Sequence, residues 1–346
     1  MKGTPMKKRL LSLLLCLMLL PCAAGAETEP KRFTASFLEL FNTVTMIVGY
    51  AEDADAFRAT AQQIYDELEV YHQLYDIYNT YEGMNNLRTV NDMAGVAPVK
   101  VDEKIIRLLL FCREMHDATG GLVDATMGSV LSLWHEARSY GIDWPEEAYL
   151  PDSAALQAAA LHTGFDKVVI DEEASTVFIT DPMARLDVGA IGKGYAVEQV
   201  SRSLPAGLLL SVGGNIRATG PNPVTGMPWT AGVQNPENMW GEYLHVLYVD
   251  GVSVVTSGDY QRYYTVNGQR YGHIVDPRTL YPTGLWRAVC ILAPDSGVAD
   301  ALSTALYLLP AEEGQALLDQ YQAEAMWIGN DGSQLVSPGF EAYIRK

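Results

Sequence analysis

The sequence is poor in cysteine and in basic residues, and each shortage excludes a class of protein. Four cysteines occur in 346 residues, and the two beyond the N-terminal region, Cys112 and Cys290, lie in apolar runs without zinc-type spacing. We therefore expect small core residues rather than a metal site. Lysine and arginine total 24 against 42 acidic residues, a net charge of −18. Because phosphate-backbone binding needs clustered cations, nucleic acid is not an expected partner.

Long hydrophobic runs are also missing after the N-terminal region, which excludes a later membrane span. Basic residues 7–9, an apolar run over 10–20 and small residues at 24–26 are typical of a secretory signal peptide. We predict residues 1–26 as this signal, with cleavage after Ala26 and an exported protein over 27–346. A buried N-terminal helix and a lipoprotein anchored through Cys22 are the alternatives.

The hydrophobic pattern changes from helical to strand-like about halfway along the chain. Apolar residues repeat every three or four positions over 57–71 and 105–116. Short alternating segments follow between 168 and 292, including a hairpin around Asn267-Gly268. Two helices are predicted over 299–309 and 311–321. The pattern predicts an α+β fold with a mostly antiparallel sheet.

The glycine-rich segment 186–195 is the first candidate for ligand binding. Three glycines in six residues let backbone amides approach a ligand closely, and a helix is predicted to begin just after them. Amides at a helix N-terminus favour an anion, and Lys193 adds a positive charge. The spacing does not match a Walker A loop or a dinucleotide fingerprint. A tight strand-to-helix turn explains the glycines equally well.

Asp300 and Thr304 form the second candidate site, because residues four apart share one face of a helix. A carboxylate and a hydroxyl suit a hard cation such as Mg²⁺, which keeps its other positions for water and phosphates. The alternative is that Asp300 only caps the helix N-terminus.

The segments 256–260 and 273–278 supply candidates for proton transfer. His273 and Asp276 are the titratable residues of the second segment. A buried histidine with a structural partner is the alternative. Residues 211–215 and 121–126 are glycine-containing segments that serve either close backbone approach or simple turns and helix caps.

The order and the residues of these segments resemble those of the FAD:protein FMN transferases, the ApbE family, from about residue 38 to the C-terminus. Similar family segments occur at 121–128, 187–195, 256–260, 273–279 and 299–305. The resemblance implies an ApbE-like (T-fold-like) α+β domain over 27–346, with a mostly antiparallel sheet core flanked by helices. It also implies transfer of FMN from FAD to a threonine of a partner flavoprotein, exported or membrane-bound, with release of AMP.

The resemblance assigns roles to individual residues. Mg²⁺ would be held by the Ala190 carbonyl, Asp300 and Thr304, and the base would be Asp276 or His273. FAD would contact Phe41, Tyr81, Leu122, Val123, Asp124, Asp187, Lys193 and Ile274.

Three positions depart from the family pattern. Leu280 stands where many members have glycine, and Asn215 stands where aspartate is common. Tyr81 lies in only a loose match. Two other functions keep the same site: a secreted FAD pyrophosphatase, in which water replaces threonine, and a non-catalytic flavin-binding protein.

Overall fold

The computed structural model describes residues 29–238, 241–260 and 262–346. The predicted signal peptide, its cleavage site and Cys22 lie outside these residues. The helices are α1 Ala54–Tyr75, α2 Leu87–Asp92, α3 Glu103–Ala118, α4 Gly128–Asp143, α5 Ser153–Ala160, α6 Gly192–Ser201, α7 Ser296–Tyr307 and α8 Ala311–Tyr321. No helix of the described chain is long and apolar enough to cross a membrane.

The strands are short. They are β1 Lys31–Phe37, β2 Thr45–Ala51, β3 Val99–Lys100, β4 Val168–Asp171, β5 Thr176–Ile179, β6 Leu209–Val212, β7 Asn215–Ala218, β8 Trp229–Val233, β9 His245–Val249, β10 Ser253–Gly258, β11 Tyr263–Val266, β12 Gln269–Gly272, β13 Val275–Asp276, β14 Tyr281–Pro282, β15 Ala288–Ala293, β16 Glu324–Ile328 and β17 Gln334–Val336.

Eight strands form one antiparallel sheet in the order β1-β2-β6-β7-β10-β15-β16-β17. Both faces of its centre are covered, so all six residues of β15 are buried. Val289 and Ile291 face a core built with the helices, while Cys290 and Leu292 face a second core beneath the β8–β9 hairpin. A strand covered on both faces has no solvent side, and its sequence is therefore apolar throughout.

A third apolar cluster joins α4 and α5 to the β11–β12 hairpin. The side chain of Tyr264 packs against Gly141 of α4, and its hydroxyl donates to the Tyr149 carbonyl at 3.0 Å. The indole N–H of Trp134 donates to the Leu280 carbonyl at 2.9 Å. This cluster fixes the segments on either side of His273 against α4.

The predicted fold class is confirmed, since the sheet is antiparallel and helices flank it. The hairpin at Asn267-Gly268 is also present, with positive φ at both positions, as a type I′ turn requires. Cys112 and Cys290 are free and buried, which confirms the expectation for both. The strands β1 and β2 precede the first predicted helical segment, in a stretch for which the sequence pattern predicts no element.

Candidate active site

A cavity of ≈ 540 Å³ opens between the helices and the loops that follow the sheet strands. Its size suits a small-molecule ligand. Of the predicted site residues, those that line it are Phe41, Leu122, Val123, Asp124, Asp187, Ala190, Lys193, His273, Ile274, Asp300 and Thr304. Tyr81 and Asp276 are not among the lining residues.

The glycine-rich segment forms one wall of this cavity. Asp187 is fixed by its amide, which donates to the Ala125 carbonyl at 2.8 Å, and its carboxylate accepts from the Gly189 amide at 2.9 Å. Helix α6 begins at Gly192, so Gly192, Lys193 and Gly194 are its first turn. Strand β5 ends at Ile179 and only a single bridge residue, Arg185, precedes the segment, so it is not a tight strand-to-helix turn. It is a loop that leads into α6 and forms a cavity wall, where the Lys193 amide has no acceptor among the described residues.

Asp300 joins α6 to α7 at the centre of the site. The N-cap of α7 is Asp295, so the alternative that Asp300 caps this helix is wrong. Asp300 is buried in the second turn, where its carboxylate accepts from the Gly194 amide at 2.8 Å. The Lys193 ammonium lies 3.7 Å from the same oxygen. Burial of this carboxylate is therefore balanced by a hydrogen bond and a nearby cation.

The bond between Gly194 and Asp300 also bears on the Ala190 carbonyl. In a regular helix the Gly194 amide donates to the carbonyl four residues earlier. Here it donates to Asp300, and within the described chain no backbone amide donates to the Ala190 carbonyl. Ala190, Asp300 and Thr304 all line the cavity. A free carbonyl, a carboxylate and a hydroxyl are ligands that fit Mg²⁺.

His273 lies in the cavity with its Nδ1 buried and without a hydrogen-bond partner among the described residues. Burial lowers the pKa of His273 to about 3, and the charges of Arg262, Arg138 and Lys193 act in the same direction. A hydrogen bond to the Arg262 backbone opposes this pKa shift. The imidazole is therefore neutral at neutral pH, and its buried Nδ1 has no hydrogen-bond partner among the described residues.

Asp276 has a different environment. Its carboxylate is buried and receives both guanidinium donors of Arg278, at 3.0 Å from Nε and 2.7 Å from Nη2. Arg278 Nη2 also donates to the Leu308 carbonyl at the end of α7. This arrangement ties the turn after β13 to α7 and leaves the carboxylate engaged in a structural contact.

Tyr78, not the predicted Tyr81, lines the cavity. Tyr81 donates its hydroxyl to Asp76 at 2.8 Å, and Asp76 lines the cavity. Tyr78 lines the cavity itself and its hydroxyl lies 2.9 Å from Nδ1 of His135. Tyr81 is therefore placed behind Asp76, one layer away from the cavity surface.

Phe41 reaches the cavity from a strained turn between β1 and β2. Its φ is +52°, a left-handed conformation that costs energy for a residue with a bulky side chain. The Phe41 amide donates to Nδ1 of His72 at 3.2 Å, and the two rings meet edge to face. Contacts with α1 hold this turn in place.

Asp124 is held by its own segment. Its Oδ1 accepts from the Thr126 amide at 2.7 Å and from the Thr126 hydroxyl at 2.6 Å. The same hydroxyl accepts from the Gly164 amide at 2.6 Å. Helix α4 begins only at Gly128 and has no side-chain cap, so neither Asp124 nor Thr126 is its N-cap.

Sequence reasoning missed one complete wall of the cavity. Leu131, His135 and Arg138 line it from α4 together with the N-cap residue Met127, and Arg262 lines it from the segment before β11. From Met127 to Arg138 these residues are spaced by four, four and three, which is one face of a helix. This spacing directly after the Asp124 segment was the available signal.

Two of the three departures from the family pattern, Leu280 and Asn215, lie away from the cavity. Leu280 keeps the left-handed conformation that glycine would favour, with φ +65°, and its amide donates to the Asp276 carbonyl at 2.7 Å. Leu280 packs against the cluster of α4 and does not line the cavity. Asn215 is buried in β7.

The fold and the cavity together define a class of protein, an α+β ligand-binding domain whose site lies where two helices meet above a large antiparallel sheet. The chain belongs to the ApbE family, because the family model matches residues 41–327.

Curated relatives and solved structures agree with this assignment. The chain is 29% identical over 315 residues to the FAD:protein FMN transferase of Haemophilus influenzae, covering 87% of this chain and 88% of that protein. It is 28% identical over 353 residues to that of Treponema pallidum, covering 97% and 95%. The ApbE protein of Thermotoga maritima matches with a TM-score of 0.79 and 26% identity, covering 91% of this chain and all of that one. The Vibrio cholerae flavin transferase ApbE shares the fold, with a TM-score of 0.74, 23% identity and coverage of 91% and 99%.

Proposed function

We propose that this protein transfers FMN from FAD to a threonine hydroxyl of a partner flavoprotein. The observation that carries the proposal is the junction of α6 and α7, where the ammonium and the unbonded backbone amide of Lys193 lie beside Asp300 at one wall of the cavity. A phosphorylated ligand needs such local cations on an otherwise acidic protein. The names of the curated relatives support the choice of FAD as that ligand.

The proposed reaction breaks the phosphoanhydride bond of FAD and forms a phosphoester bond to the threonine oxygen. The threonine oxygen attacks the phosphorus of the FMN half, the bond from that phosphorus to the bridging oxygen breaks, and AMP leaves with that oxygen. Such reactions depend mainly on positioning and on neutralising charge. Lys193 offsets phosphate charge with its ammonium group and with its backbone amide, which has no acceptor among the described residues. Ala190, Asp300 and Thr304 would hold Mg²⁺, which as a Lewis acid stabilises charge on the leaving phosphate.

His273 is the base in this proposal. It lines the cavity, is neutral at neutral pH and has a free buried nitrogen, whereas Asp276 is bound to Arg278. The negative charge of a bound pyrophosphate raises the pKa of His273, which opposes the three cations that lower it. Substrate binding therefore makes His273 a better acceptor for the threonine proton.

The experiment is a transfer assay. The protein is incubated with FAD, Mg²⁺ and an exported flavoprotein that carries the acceptor threonine. We expect a fluorescent band that survives denaturation and one AMP per label. A threonine-to-valine variant of the acceptor is the control. AMP and free FMN with an unlabelled acceptor would indicate a pyrophosphatase, and FAD left intact would refute both enzymatic functions.

Export with cleavage after Ala26 belongs to the same proposal, as does anchoring through Cys22 as its alternative. The basic and apolar residues over 7–20 support it. Mass spectrometry of the N-terminus of protein recovered from the producing cell distinguishes cleavage after Ala26 from a lipidated Cys22.

A further inference from the structure

Three arginines in or near the cavity wall are not assigned to the metal, the phosphates or proton transfer. Arg138 on α4 and Arg262 before β11 line the cavity, and Arg270 is exposed on β12. The Arg270 guanidinium lies 4.2 Å from the ring centre of Tyr263, which follows Arg262 in the chain. We call these four residues, Arg138, Arg262, Tyr263 and Arg270, the mouth cluster.

The arginines of the mouth cluster lack acidic partners. Within the described ranges, no carboxylate oxygen lies within 4.0 Å of their guanidinium groups, although Arg202, Arg278 and Arg287 are all ion-paired. Burial and the charge of Arg262 lower the pKa of Arg138, so the two cations repel each other in the free protein. In a chain with 42 acidic residues, this cluster is a local positive surface. Such a surface favours an anionic partner.

The cluster is held on rigid elements. The β11–β12 hairpin packs on α4 where Tyr264 meets Gly141, and the Tyr264 hydroxyl is bonded to the Tyr149 carbonyl. Arg262 and Arg138 therefore keep a fixed relation to each other and to His273, whose pKa both of them lower. A partner bound at the cluster is positioned relative to the base.

Resting on the proposed function, we propose that the mouth cluster docks an acidic surface of the acceptor protein beside its threonine. The acceptor hydroxyl has to enter the cavity, and the cluster extends from the cavity lining to the exposed face of the hairpin. Arg270 does not line the cavity, so an enclosed dinucleotide does not account for it. Guanidinium groups pair well with carboxylates, and complementary charge at an interface orients the partner and speeds association.

The test uses Arg270→Glu, with Arg113→Glu as the matched control. Arg113 is an exposed arginine on α3 that likewise has no ion pair in the described chain. We expect Arg270→Glu to raise the KM for an acidic acceptor flavoprotein about three- to tenfold and to weaken its salt dependence. The dissociation constant for FAD stays unchanged, as does kcat. An acceptor whose acids near the threonine are changed to amides loses this sensitivity.

Three results separate the possibilities. An unchanged acceptor KM in Arg270→Glu, or an equal effect of Arg113→Glu, overturns the docking surface. If Arg138→Gln and Arg262→Gln weaken FAD binding but leave the acceptor KM unchanged, these two arginines belong to the FAD site and the proposal is wrong for them. If the wild-type protein labels no acceptor at all, the proposed function itself has failed.

Discussion

Replacing Gly194 with alanine tests whether the contact between α6 and α7 builds the site. A Cβ at this position would lie 2.3 Å from the Ser296 carbonyl oxygen and 2.5 Å from the Asp300 Cβ. Ordinary contacts begin at 3.4 Å, so the helices would have to separate by about 1.1 Å. Because the obstacle is backbone of α7, a side-chain rotation does not relieve it.

The expected change in the free energy of unfolding is the sum of two destabilising effects and one stabilising effect. Overpacking of this kind costs about 1–3 kcal/mol. Losing the hydrogen bond from the Gly194 amide to the Asp300 carboxylate costs about 1.5–3 kcal/mol. Alanine is favoured over glycine inside a helix by about 1 kcal/mol. We therefore expect the free energy of unfolding to fall by about 1.5–5 kcal/mol.

The assay combines urea unfolding with a Mg²⁺ titration of transfer activity. Gly284→Ala is the control, because a Cβ at Gly284 meets no atom within 4 Å and its φ is not positive. We expect Gly194→Ala to lower the unfolding midpoint and to raise the Mg²⁺ concentration needed for half-maximal activity, while Gly284→Ala changes neither. If Gly194→Ala matches the wild type in both measurements, the close contact does not position Asp300.

The other predictions concern the charged groups of the site. Asp300→Ala should abolish Mg²⁺-dependent transfer while the exposed Asp319→Ala retains it, and full activity of Asp300→Ala in the transfer assay would refute the metal assignment. His273→Ala should lower kcat by about 10²–10⁴-fold, the usual contribution of a general base, measured as AMP release under saturating substrates. Asp276→Asn should instead lower the unfolding midpoint and keep kcat within a few-fold, because the Asp276 carboxylate binds Arg278. A loss of kcat as large as that of His273→Ala would make Asp276 the base. Because burial lowers the pKa of His273 from 6.5 to about 3, the native state binds fewer protons than the unfolded state in this window. The contribution of His273 to stability is therefore complete above pH 6.5 and is lost as the pH falls toward 3. His273→Asn should flatten the dependence of the unfolding free energy on pH in this range. An unchanged slope would contradict the burial of a neutral imidazole.

Local features of the sequence predicted a large part of this structure. The turn at Asn267-Gly268 needs positive φ at both residues, and asparagine and glycine are the residue types that adopt positive φ most readily. The spacing of Asp300 and Thr304 places both on one helix face, which follows from helix geometry alone. The resemblance to the ApbE family likewise came from short ordered segments, and the match over 41–327 confirms it.

The tertiary structure decided which of the candidate groups face the ligand. Asp276 and His273 are three residues apart, yet a contact with Arg278 and the end of α7 engages one of them while the other lines the cavity. Tyr78 and Tyr81 share the same short segment, but only Tyr78 lines the cavity.

Asp300 illustrates the difference most directly. In the sequence alone, capping a helix is the simplest explanation for Asp300. In the structure it lies at the site instead, where its carboxylate accepts a hydrogen bond from an amide 106 positions away. Periodicity is a property of neighbouring residues and can be read along the chain. The direction of a side chain and the partner it meets depend on contacts between distant segments, which form only when the helices pack on the sheet.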